Sequence, residues 1–140
     1  MCCKRKKKNL YLNPWSNNLT SHQPNKLVAF FLMRHLLQET EFGCIPTSIA
    51  MVTGLTVRQL IYGIQEPWHF DSFNERLLSL RWAPIIYSHV HPLDKDCVLY
   101  LAHGHAVAWS ASDQYALDPN GGKIVNLPEI DFVQRFIKMI

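Results

Sequence analysis

The chain has 140 residues, a length that favours a single domain able to bury a self-supporting core. Apolar residues make up 48% and charged residues 18%, which excludes a wholly disordered or coiled-coil protein. The formal charge of +3 is unevenly spread. Lys4, Arg5, Lys6, Lys7 and Lys8 supply five of the fourteen basic residues, and the other nine face eleven acidic ones, so the body is formally −2. A nucleic-acid-binding fold carries its basic residues on itself, so no nucleic-acid partner is expected from this body. The most that residues 4–8 imply is weak contact with an anionic surface.

Residues 27–33 are the longest apolar run and stop at Arg34, well short of the ~20 residues a spanning helix needs. No apolar stretch with a small-residue cleavage site follows the basic start, so a cytoplasmic protein, or one exported without a signal peptide, is expected. The four cysteines are Cys2, Cys3, Cys44 and Cys97. They form no CxxC or zinc-finger spacing, so free thiols in a reducing compartment are the expectation.

Residues 1–26 are rich in Asn, Ser, Lys and Pro and read as a flexible tail, leaving 27–140 as the domain. Residues 27–38 are too uniformly apolar to assign by pattern. Ile45, Ile49 and Val52 then mark a short buried helix that Gly54 stops. Thr56-x-x-Gln59 is a capping box opening a second helix, with Val57, Leu60, Ile61 and Ile64 inward. Ser72-x-x-Glu75 predicts a third, with Phe73, Leu77 and Leu80 inward. Five β-prone segments follow, at 84–90, 97–102, 105–110, 114–118 and 123–127. A last helix is expected after Pro128, with Ile130, Val133, Ile137 and Ile140 inward. Helices first and an antiparallel sheet afterwards make an α+β domain.

Cys44 falls at a helix start, where aligned peptide dipoles and backbone N–H groups lower a thiol pKa. Such a thiol needs a base, and seven histidines compete for the role. If Ala111-Ser112 is a two-residue turn, His105 stands opposite Asp118, whose carboxylate would orient the imidazole. A register two residues longer sets Asn120 opposite His105 and Asp118 diagonal, and either residue could then hold the ring. His103 shares the His105 face but precedes the strand. Cys97 alternates within an apolar strand and reads as core. The pairs His89-x-His91 and His103-x-His105 lack a third ligand, so they read as surface histidines and no metal or cofactor is expected.

The segment Cys44-Ile45-Pro46-Thr47-Ser48-Ile49-Ala50-Met51 resembles the nucleophile helix of papain-like cysteine peptidases of the bacteriocin-processing (double-glycine leader) type, especially their stand-alone peptidase C39-like domains. The family reads C-G-P-T-S-x-A-M there, with a Gln six residues before the Cys, where Gln38 stands. Gly104-His105 opening an apolar strand, and Asp118-Pro119-Asn120-Gly121 ending the next, complete the resemblance over residues 38–140. It implies a papain-like fold with Cys44 as nucleophile, His105 as general base and acid, Asp118 as orienter and Gln38 as an oxyanion-hole donor. The family's glycine after the Cys is Ile45 here, which bears on substrate choice. The implied activity is hydrolysis of a peptide bond in a peptide or protein substrate through an acyl-enzyme. An amidase, deamidase or acyl transferase would use the same atoms, and a papain-like adaptor would keep the fold without turnover.

Overall fold

A computed structural model describes residues 33–87 and 93–140. The expected tail, the start of the domain to residue 32, and the histidines at 89 and 91 lie outside the described residues. Among the described residues three short helices precede a six-stranded antiparallel sheet, so the class is α+β.

Helix α1 (Cys44–Thr53) is buried along its whole length. A helix walled on all sides must satisfy its polar side chains internally. Ser48 Oγ donates to the Ala106 carbonyl at 3.2 Å, and Thr53 Oγ1 to the Ile49 carbonyl at 2.8 Å. Gly54 ends the helix in the left-handed region at φ 83°, its N–H on the Ala50 carbonyl. Helix α2 (Val57–Ile61) opens with the expected capping box, Thr56 and Gln59 each bonding the other's backbone N–H. Helix α3 (Asn74–Ser79) buries Leu77, with Phe73 buried just before it.

Ser72 does not cap α3. Its Oγ accepts the His69 N–H at 2.7 Å and closes the preceding turn, while Phe73 takes the position before the helix. A serine hydroxyl bonds a local turn as readily as a helix end, so the motif had two local solutions.

The strands are β1 (Trp82–Tyr87), β2 (Cys97–Leu101), β3 (His105–Ser110), β4 (Tyr115–Leu117), β5 (Lys123–Ile124) and β6 (Ile130–Lys138), in the order β1-β6-β2-β3-β4-β5. The expected terminal helix is thus a strand, lying between β1 and β2. Ile130, Phe132, Val133, Phe136 and Ile137 are β-branched or aromatic, and the strand finds long-range partners in β2 over its first half and in β1 over its second. Pro84 sits in β1, at the sheet edge, where a missing N–H is tolerated.

The sheet separates two apolar clusters. On one face Ile49, Leu60, Phe73, Leu77, Val98, Ala106 and Ala108 join the helices to the strands. On the other, Cys97, Leu99, Val107, Trp109, Ala116 and Val133 pack together. Strand β2 therefore alternates between two buried faces, and Cys97 is a free, fully buried core thiol as expected.

Candidate active site

Two tight turns deliver the site residues. Between β2 and β3, Leu101 pairs with His105 across a three-residue loop, and Gly104 at φ 96° takes the left-handed position that such a loop needs. His105 is thereby the first residue of its strand, at the sheet's end. Before α1, Gly43 is buried against the preceding turn. A Cβ there would lie 3.1 Å from Thr40 Oγ1, so the close approach favours glycine immediately ahead of Cys44.

Strands β3 and β4 pair as Ser110 with Tyr115 and Ala108 with Leu117. This is the longer of the two registers considered, with residues 111–114 in the turn. Continued past Leu117 it sets Asp118 diagonal to His105, and Asp118 is the residue that reaches the ring. His105 Nε2 and Asp118 Oδ1 are 2.7 Å apart, with both side chains largely buried. Since a carboxylate only accepts, Nε2 carries a proton, and any role as base falls to Nδ1. Asn120 contributes through its backbone: its N–H donates to the same Asp118 oxygen at 2.8 Å, an Asx turn that fixes the carboxylate.

Cys44 and His105 line one cleft of about 430 Å³, together with Ile45, His69, Phe70, Asp71, Tyr100, Gly104, Asp131 and Phe132. Cys44 itself is fully buried and disulfide-bonded, the other half of the bond lying outside the described residues. The expectation of free thiols fails at this position. A sulfur in a disulfide carries no acidic proton, so nucleophilic chemistry at Cys44 belongs to the reduced state.

Gln38 is buried but does not line the cleft. Its Nε2 donates to the carbonyls of Thr40 at 2.8 Å and Glu41 at 3.1 Å, and its backbone N–H donates to the Pro119 carbonyl at 2.9 Å. In this conformation its amide ties the loop that enters α1 rather than facing the cleft.

Sequence reasoning missed several residues that shape the site. His35 Nε2 donates to the Asp118 carbonyl at 2.8 Å, and burial holds the His35 pKa below the usual imidazole range. It lies in a stretch too uniformly apolar to assign by pattern. Asp131 and Phe132 fall within the expected terminal helix; pairing Ile130 with Leu101 instead brings them beside the β2–β3 turn. Below the cleft Tyr100 donates to Gln134 Oε1 at 2.6 Å, and Gln134 Nε2 donates to the Phe70 carbonyl at 3.3 Å, both side chains buried.

Among the described residues no group of three His, Cys, Asp or Glu side chains is arranged to hold a metal ion, and no helix is long and apolar enough to cross a membrane. No protein-family model, curated protein or solved structure matches the chain.

Proposed function

We propose that the reduced protein is a papain-like cysteine peptidase acting through Cys44, His105 and Asp118. The observation that carries this reading is one cleft lined by Cys44 at a helix start and by His105, whose far nitrogen is held by Asp118. Cys44 and His105 share the cleft and Asp118 holds the ring, the arrangement that nucleophile, base and orienter need.

In the reaction, His105 Nδ1 takes the Cys44 proton and the thiolate attacks the scissile carbonyl carbon. The carbonyl π pair moves onto oxygen, where a backbone N–H at the start of α1 is the proposed donor. When the pair returns, the C–N bond breaks and the His105 imidazolium protonates the departing amine. Water, deprotonated by His105, then attacks the thioester. Collapse releases the carboxylic acid, and the sulfur recovers its proton. Asp118 stabilises the imidazolium in both halves. For Gln38 to serve the oxyanion as well, its amide must turn away from Thr40 and Glu41.

An amidase, deamidase or acyl transferase differs only in the amide attacked or in the acceptor of the acyl group, and the same atoms serve each. The disulfide at Cys44 and the inward tie of Gln38 favour a second reading, a papain-like adaptor without turnover. The two readings separate on a peptide library incubated with reduced protein. Cleavage that disappears in both Cys44→Ala and His105→Ala supports the peptidase. A library left intact while Cys44 also resists iodoacetamide supports the adaptor.

A further inference from the structure

The cleft has a wall and a rim of different chemistry. Tyr100 and Phe132 stack with centroids 4.5 Å apart, and Phe70 meets Phe132 edge-on at 5.1 Å and Tyr100 at 6.2 Å. The buried chain from the Tyr100 hydroxyl through Gln134 to the Phe70 backbone fixes these rings from below. Each cleft-lining carboxylate is the chain neighbour of one wall ring: Asp71 follows Phe70, and Asp131 precedes Phe132. Both are exposed, and among the described residues neither is in an ion pair, the pairs there being His105–Asp118 and Arg135–Asp94.

Among the described residues, no Lys or Arg lines the cleft. Its volume of about 430 Å³ lies within the roughly 300–1,000 Å³ usual for ligand sites. Two carboxylates lining the same cleft as a thiol oppose thiolate formation there. A bound cation reverses that sign.

Resting on the peptidase reading, we propose that the cleft selects a substrate with a lysine or arginine side chain next to the scissile bond. The methylene stem lies along the Phe70–Phe132 wall, and the cationic head reaches Asp71 and Asp131. A long basic side chain has this division, an apolar stem with a charged tip. The aromatic faces add cation–π attraction to the head. Exposed ion pairs are individually weak, so two of them give a preference of roughly 3- to 30-fold over an uncharged side chain of equal length. The preference must shrink as salt is added, because the rim is open to solvent.

The test uses the reduced full-length chain and three acyl-amino chloromethyl ketones, with lysine, norleucine or glutamate as the side chain. In each, the Cys44 thiolate displaces chloride and forms a thioether, and mass spectrometry follows the rate at that residue. Iodoacetamide, which has no side chain, reports the reactivity of the thiol alone. Lysine is expected to react faster than norleucine and glutamate slowest, with the lysine-to-norleucine ratio collapsing in Asp71→Asn/Asp131→Asn and at 0.5 M salt. The salt arm needs no variant, and the single substitutions stand in if the double one fails to fold. Equal rates, or glutamate fastest, with Cys44 still alkylated would overturn the substrate class and leave the nucleophile standing. A lysine preference that survives both substitutions would overturn the role of Asp71 and Asp131. If Cys44 resists iodoacetamide as well as all three ketones after reduction, the peptidase reading falls and this inference with it.

Discussion

Cys44 and Cys97 are both fully buried and differ in what surrounds the sulfur. Cys97 is walled into the sheet, where burial pushes its thiol up to about 12, so it stays protonated near neutral pH. Cys44 begins a helix and lines a cleft beside His105. Iodoacetamide at near-neutral pH should therefore modify Cys44 in reduced protein and spare Cys97, and without reductant it should modify neither. Labelling of Cys97 alone would assign the reactive thiol to the wrong cysteine. Asp118 offers the second check at this scale. Asp118→Asn keeps an acceptor for the Asn120 N–H but can turn its amide hydrogens toward His105 and select the wrong tautomer. Turnover should fall by on the order of 10²–10⁴-fold with little change in melting temperature; unchanged turnover would remove Asp118 from the mechanism. The helix start at Cys44 and the hairpin that brings Asp118 toward His105 are legible from spacing, and the resemblance supplies the choice of His105 among seven histidines. The placing of Gln38 is not legible, because an amide six residues before a cysteine reads the same whether it faces the cleft or its own loop.

Elements were legible where one periodicity prevailed. Helix α1, the capping box of α2 and the buried faces of Leu60, Phe73 and Leu77 follow from spacing and capping alone. The last strand did not, since Ile130, Val133 and Ile137 fit a helical stripe, and only the long-range partners in β1 and β2 decide for a strand. The register of β3 and β4 stays open between two choices in the sequence, because two-residue and four-residue turns leave alternation unchanged and move Asp118 from opposite His105 to diagonal; the strand pairing selects the longer. Two substitutions probe elements. Thr56→Ala removes the acceptor for the Gln59 N–H and should cost about 1 kcal/mol in chemical denaturation, with alkylation of Cys44 unaffected. Gln38→Ala releases the Thr40 and Glu41 carbonyls and loosens the loop before α1. Alkylation and turnover should then drop together. A loss of turnover with alkylation intact would instead mean that the amide swings into the cleft and serves the oxyanion.

Across the whole molecule, the segment before the first helix is tied to the loop after β4 by two bonds, His35 Nε2 to the Asp118 carbonyl and the Gln38 N–H to the Pro119 carbonyl. Residues 83 positions apart thus brace the backbone that carries the orienting carboxylate. His35 makes this brace sensitive to pH. Burial lowers its pKa most; the Asp118 backbone bond and the Asp118 charge oppose that shift, and Lys123 adds to it. The folded pKa therefore lies below the unfolded one of about 6.5. Between the two values the unfolded chain binds more protons, so stability rises with pH through that window. The contribution is complete above the unfolded value and is lost as pH falls toward the folded one. His35→Asn keeps a donor and removes the titration. Thermal melts from pH 7.5 down to pH 5 should fall less steeply in His35→Asn than in the wild type. Parallel curves would show that the brace does not titrate and that other groups set the acid limit of the fold. Because the brace ends on the backbone of Asp118, the wild-type acid loss should extend to Cys44. As pH falls, alkylation should weaken more in the wild type than in His35→Asn, each rate being corrected for a free thiol measured alongside.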